Sequence, residues 1–104
     1  MNKKEMENKV IESYQKDEQM MILVYAQWCI NHGLDPEALY ERAYPGQGKN
    51  EALNQALALT VSKSESEDIP DDTLLNVLQA FGNSDLAFVV QEAIEKRDIT
   101  KNQN

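Results

Sequence analysis

From Lys3 to Ile30 the chain contains neither proline nor glycine and is rich in good helix formers, which predicts one long helix. The two halves of that helix differ. In the first, Met6, Val10, Ile11 and Tyr14 recur at three- and four-residue steps among Lys, Glu, Asn and Gln, a single apolar stripe. In the second, from Met20 to Ile30, only Gln27 is frankly polar. A helix that is apolar on all sides must be covered on all sides, by the rest of the domain or by a second copy of the chain. Ile22 to Tyr25 also fits a short buried strand, but the length of the run and the lack of a turn signal before Gly33 favour helix.

Punctuation beyond Ile30 divides the remainder into shorter helices. Asn31-His32-Gly33 reads as a helix stop, with glycine free to adopt the left-handed closing conformation and His32 suited to the negative end of the helix dipole. Asp35 as N-cap and Pro36 at the first helical position start a short second helix, which ends before Pro45. Tyr44 to Lys49 is a loop. Asn50 is the N-cap of a third helix, predicted to run through Val61. Residues 61–72, rich in acids and poor in apolar side chains, read as an acidic mobile loop. Asp71 or Asp72 caps a fourth helix bearing Leu74, Leu75, Val77, Leu78 and Phe81. Gly82 ends it, and Ser84 opens a fifth that buries Leu86, Phe88, Val89, Val90, Ala93 and Ile94. Residues 99–104 are expected to be a disordered tail. The pattern predicts an all-α fold: a single domain over 1–104, a compact bundle of about five helices in which a long N-terminal helix precedes shorter helical hairpins.

The 104-residue composition, 41% hydrophobic and 27% charged, suits one such domain. Charge changes the picture more. Ten Lys and Arg against eighteen Asp and Glu leave a net −8, with six of those negative units in residues 50–104. Nucleic acids and anionic membranes demand a positive face, so neither is an expected partner. A basic protein surface is. One cysteine and one histidine leave no disulfide framework and no multi-histidine metal site, and no cofactor or metal is expected. The lack of an apolar signal core behind Met1-Asn2-Lys3-Lys4, and of any run of roughly 18 apolar residues, predicts a cytoplasmic location.

Few constellations suggest chemistry. Cys29 and His32 lie three apart and can share a helix face, which admits a thiol nucleophile, a thiol sensor or two metal ligands. No orienting group or further ligand accompanies them, and a buried cysteine beside a helix-end histidine accounts for both. Residues 72–97 have the length and glycine turn of a helix-turn-helix. Its second helix opens with Asp85, carries Glu92 and Glu95, and holds Lys96 and Arg97 at the wrong end for reading DNA. The Glu65–Asp72 acids lack the glycine and ligand spacing of a calcium loop, and Gly46-Gln47-Gly48-Lys49 lacks the spacing of a phosphate cradle. Met20, Met21, Tyr25, Trp28, Tyr40 and Tyr44 cluster around the first hairpin and are of the types enriched at interfaces. The sequence therefore points to a small bacterial-type interaction module: an adaptor, inhibitor or immunity-type factor that binds another protein through those residues or its acidic surface. Homodimerisation is an alternative use of the apolar segment, and an enzyme based on Cys29 and His32 is the competing functional class.

Overall fold

Five α-helices carry the fold in a computed structural model that describes residues 3–47 and 50–102, with side chains described over 17–47 and 50–100. They are α1 (Lys3–Asn31), α2 (Pro36–Ala43), α3 (Glu51–Leu59), α4 (Asp71–Ala80) and α5 (Ser84–Asn102), with one 3-10 turn at Lys63–Glu65 between α3 and α4. Among the described residues there is no strand, and Ile22 to Tyr25 are helical. The stripe of Met6, Val10, Ile11 and Tyr14 lies outside the described side chains.

Local signals set most of the boundaries. At Gly33, with φ 68°, the Leu34 N–H reaches back to the Cys29 carbonyl at 2.9 Å and the Gly33 N–H to that of Ile30 at 3.1 Å. This satisfies carbonyls that the end of α1 would otherwise leave orphaned. Gly82, at φ 74°, repeats the arrangement, with Asn83 N–H to Leu78 at 2.8 Å and Gly82 N–H to Gln79 at 3.0 Å. The Asp35 carboxylate accepts from the N–H groups of Glu37 and Ala38, and the Asn50 side chain accepts from that of Leu53, so α2 and α3 start where their caps predict.

Four boundaries or segments depart from the pattern. Helix α3 stops at Leu59: Thr60 turns extended, and both backbone polar groups of Val61 are taken by the Gln27 amide at 2.9 Å. Helix α4 has no side-chain cap. Pro70 holds that position and Asp71 is the first helical residue, its carboxylate directed at α1 and α5 instead. The 61–72 segment, expected to be a mobile loop, is held to the bundle at separate points. Gln27 grips Val61, Asn31 donates to the Ser66 hydroxyl at 3.2 Å, and Ile69 packs on the core. Finally, α5 continues through Asn102 where a disordered tail over 99–104 was expected. Ile99 to Asn102 contains no proline or glycine, so nothing there interrupts the helical hydrogen-bond ladder; residues 103–104 lie outside the described residues.

The core explains how the apolar half of α1 is accommodated. Met21, Ile22, Tyr25, Ala26, Trp28 and Cys29 are all buried. They meet Leu39 of α2, Leu53 and Ala56 of α3, Leu74 and Leu78 of α4, and Leu86, Val90 and Ile94 of α5. Helix α1 packs against α2, α3 and α4, while α5 closes over α2 and α4. The chain thus covers the segment on most sides by itself.

Candidate functional site

Of the six side chains expected at an interface, three belong to the chain's own core. Met21, Tyr25 and Trp28 are 4%, 1% and 1% exposed. The Tyr25 hydroxyl donates to the Pro36 carbonyl at 2.7 Å, and Met21 sulfur accepts from the Asn83 amide at 3.0 Å. The same amphiphilic types that suit an interface suit a core whose few polar atoms find internal partners. Met20, 61% exposed, and the half-buried Tyr40 and Tyr44 remain at the surface.

Cys29 and His32 do not form a reactive pair. Cys29 is fully buried, and burial pushes its thiol up to about 12, which leaves no thiolate at neutral pH. Among the described residues no hydrogen bond joins it to His32. The imidazole instead lies 4.6 Å from the Trp28 ring, centroid to centroid, with Nε2 3.9 Å from Asp71 Oδ1. Burial, and secondarily the Arg97 guanidinium, lowers its pKa from the usual value near 6.5, so it is neutral at pH 7. It does not serve as the helix-end cation that its position suggested.

Around His32 the fold assembles a cluster with no local signature. The Trp28 indole N–H donates to Asp71 Oδ1 at 3.0 Å, while Arg97 Nη1 and Nη2 reach Oδ1 and Oδ2 at 3.3 and 2.7 Å. Arg97 Nη2 also contacts Asp98 at 3.2 Å. The Arg97 hydrogen bonds hold the Asp71 carboxyl below its ordinary range, aided by Trp28 and opposed by burial. Both carboxylate oxygens are occupied. Chemically this is a clasp that pins the C-terminal part of α1, the start of α4 and α5 to one another, and it presents no nucleophile.

The α4–α5 hairpin forms as the helix-turn-helix pattern predicts, but its outer face is unsuited to a polyanion. Phe88 stands 67% exposed between Asp85 and Glu92, and Arg97 is engaged in the clasp. In the preceding segment Glu65, Glu67, Asp68 and Asp72 are exposed to solvent.

Two of the hollows among the described residues bear on function. The larger, about 490 Å³, lies between α2 and the start of α3. It is lined by Glu37, Tyr40 and Glu41 along one face of α2, by Tyr44 just past the helix end, and by Asn50 and Asn54. The two tyrosine rings are 5.0 Å apart and tilted by 56°. Tyr40 accepts from the Asn50 amide at 2.7 Å, and Tyr44 donates to Asn83 Oδ1 at 2.8 Å. Burial raises the Tyr44 pKa, with smaller contributions from Tyr40 and the Asp85 charge. Sequence reasoning found the tyrosines but missed Glu37 and Glu41, although their spacing was visible. The smaller hollow, about 370 Å³, is an apolar groove between α1 and α3 flanked by Met20 and by Leu59, which is 68% exposed.

These features define the class: an acidic all-α bundle with its cysteine and histidine committed to the interior or to a structural clasp. Comparison with known proteins places the chain within a family. Residues 2–95 match the YxiS family, to which the chain belongs. A relative described as "Uncharacterized protein YxiS", from Bacillus subtilis (strain 168), is 53% identical over 92 residues, covering 88% of this chain and 96% of its own. No solved structure matches the chain. No helix among the described residues is long and apolar enough to cross a membrane.

Proposed function

We propose that this protein is a non-enzymatic cytoplasmic interaction module, an adaptor, inhibitor or immunity-type factor, that binds a protein partner with a basic surface. The observation that supports this is the distribution of charge. Between Asp17 and Asp98 fifteen carboxylates stand against five Lys and Arg, and none of the carboxylates is buried. Arg42 and Arg97 are moreover paired internally, with Glu92 and with Asp71 and Asp98. Such a surface steers and orients a basic partner and repels nucleic acid and other acidic proteins.

Affinity capture on the tagged protein, from cells of the species that makes it, tests the reading. A discrete basic protein is expected to be retained at roughly 0.05 M salt and released by roughly 0.5 M, where the screening length falls to a few ångströms. Retention that ignores salt, or no protein enriched over an unrelated acidic helical protein, overturns it. The exposure of Met20 and Leu59 along the α1–α3 groove favours self-association as a second reading. Light scattering across a dilution series decides that: a dimer that Leu59→Glu dissociates supports it, and a monomer at all concentrations refutes it.

A further inference from the structure

We propose that the cavity between α2 and the start of α3 receives an arginine side chain of the basic partner, an inference that rests on the reading of the preceding subsection. Its volume of about 490 Å³ is large enough for a side chain and its flanking backbone. The walls are chemically one-sided. Glu37 and Glu41 stand one helical turn apart on the face of α2 that also carries Tyr40, Tyr44 follows the helix end, and Asn50 and Asn54 line the opposite side. Among the described residues lining the cavity there is no Lys or Arg.

Other carboxylates of the molecule are less suited. Both oxygens of Asp71 are filled by Trp28 and Arg97, and Glu92 is paired with Arg42. Glu65, Glu67 and Asp68 are exposed on the 61–72 segment and line none of the hollows described. Glu37 and Glu41 make no side-chain hydrogen bond or ion pair with another described residue.

Several properties of the cavity select a guanidinium. A planar fork of N–H donors matches a carboxylate two at a time, and its flat face stacks on a tyrosine ring. An anionic ligand would meet two like charges, and an apolar one would strand the carboxylates without partners. The tyrosines are also held in place before any ligand arrives. The Tyr40 hydroxyl is fixed by Asn50 and that of Tyr44 by Asn83, so less side-chain freedom is lost on binding.

The test is an NMR titration of the full chain at low salt with the peptide acetyl-Gly-Arg-Gly-Arg-Gly-amide and with its counterpart carrying neutral citrulline at both arginines. Two variants carry the same net charge, Glu37→Gln/Glu41→Gln at the cavity and Glu65→Gln/Glu67→Gln on the 61–72 segment. The arginine peptide is expected to shift resonances of residues 37–47 and 50–54. The cavity variant should weaken it about tenfold and the control variant less than about twofold, with citrulline abolishing the effect. Equal weakening by both variants, or shifts centred on residues 65–72, would overturn the cavity while leaving a basic partner in place. Equal binding of the citrulline peptide overturns the choice of a cation. No shift anywhere on the chain at low salt overturns both the cavity and the basic-partner reading.

Discussion

Replacing Asp71 by alanine should destabilise the protein more than any other surface-carboxylate change, and the structure says by how much. The Trp28 ring is 1% exposed and its N–H has Asp71 as acceptor at 3.0 Å. Removing the acceptor leaves a buried donor without a partner, at a cost of about 1–3 kcal/mol. The Arg97 pair adds less. Its side chains are 35% and 28% exposed, so solvent screening reduces it to about 0.5–1 kcal/mol despite the two-pronged geometry. Asp71 also sits in the first turn of α4, where a negative charge is favourable by a few tenths of a kcal/mol. Asp71→Ala should therefore cost about 2–4 kcal/mol, a fall in Tm of roughly 8–20 °C for a domain of this size.

Asp71→Asn keeps an oxygen for Trp28 and should cost only about 1 kcal/mol, as should Arg97→Gln. Urea unfolding followed by the fluorescence of Trp28, the single tryptophan, and by far-ultraviolet circular dichroism measures all three. Acid supplies an independent check. The Asp71 carboxyl is held below its ordinary value in the folded state, so its contribution is complete above the unfolded pKa near 3.9 and is lost as pH falls through the folded pKa. The gap between wild type and Asp71→Asn should be constant above about pH 5 and close as pH drops below about 4. An Asp71→Ala protein within about 0.5 kcal/mol of wild type, with an unchanged acid limb, would show that the clasp is not a stabilising element.

Other consequences are simpler to measure. Cys29 should resist thiol reagents at pH 8 and label only at the rate of global unfolding, because its thiol is enclosed and its pKa raised to about 12; fast labelling of the native protein would contradict that burial. Gly33→Ala and Gly82→Ala should each cost about 1–2 kcal/mol, even though a Cβ at either position would meet no atom within 4 Å, because both residues hold positive φ. Equal or greater stability in calorimetry would refute the backbone argument. Gln27→Ala should release the junction after α3 with little global loss, seen as faster hydrogen exchange at the Val61 amide while the Leu74–Leu78 amides stay protected.

What the sequence revealed and what it concealed differ in range along the chain. Helix ends depend on residues within a turn of one another, so Gly33, Asp35-Pro36, Asn50 and Gly82 announce themselves. The clasp and the tether do not. Asp71 meets Trp28 across 43 residues and Arg97 across 26, and Gln27 meets Val61 across 34. In sequence Asp71 is one acid among several near a helix start, and the scarcity of apolar residues after Val61 looks like freedom. Met21, Tyr25 and Trp28 were misplaced for a different reason, since they have the composition of a contact surface and of a core alike. Which they become depends on whether the remaining helices suffice to cover α1, and α2 to α5 largely do.

That distinction also separates the two polar groupings at the surface. Asp71 has spent its capacity inside the fold: each oxygen has a donor, and removing it harms the bundle. Glu37 and Glu41 lie on an exposed face of α2, and their loss should cost the fold almost nothing. A residue whose replacement leaves stability intact but weakens recognition of a cation is acting on a partner. The contrast between Asp71→Asn and Glu37→Gln/Glu41→Gln, in stability and in peptide binding, therefore separates the carboxylates that build this protein from those available for its function.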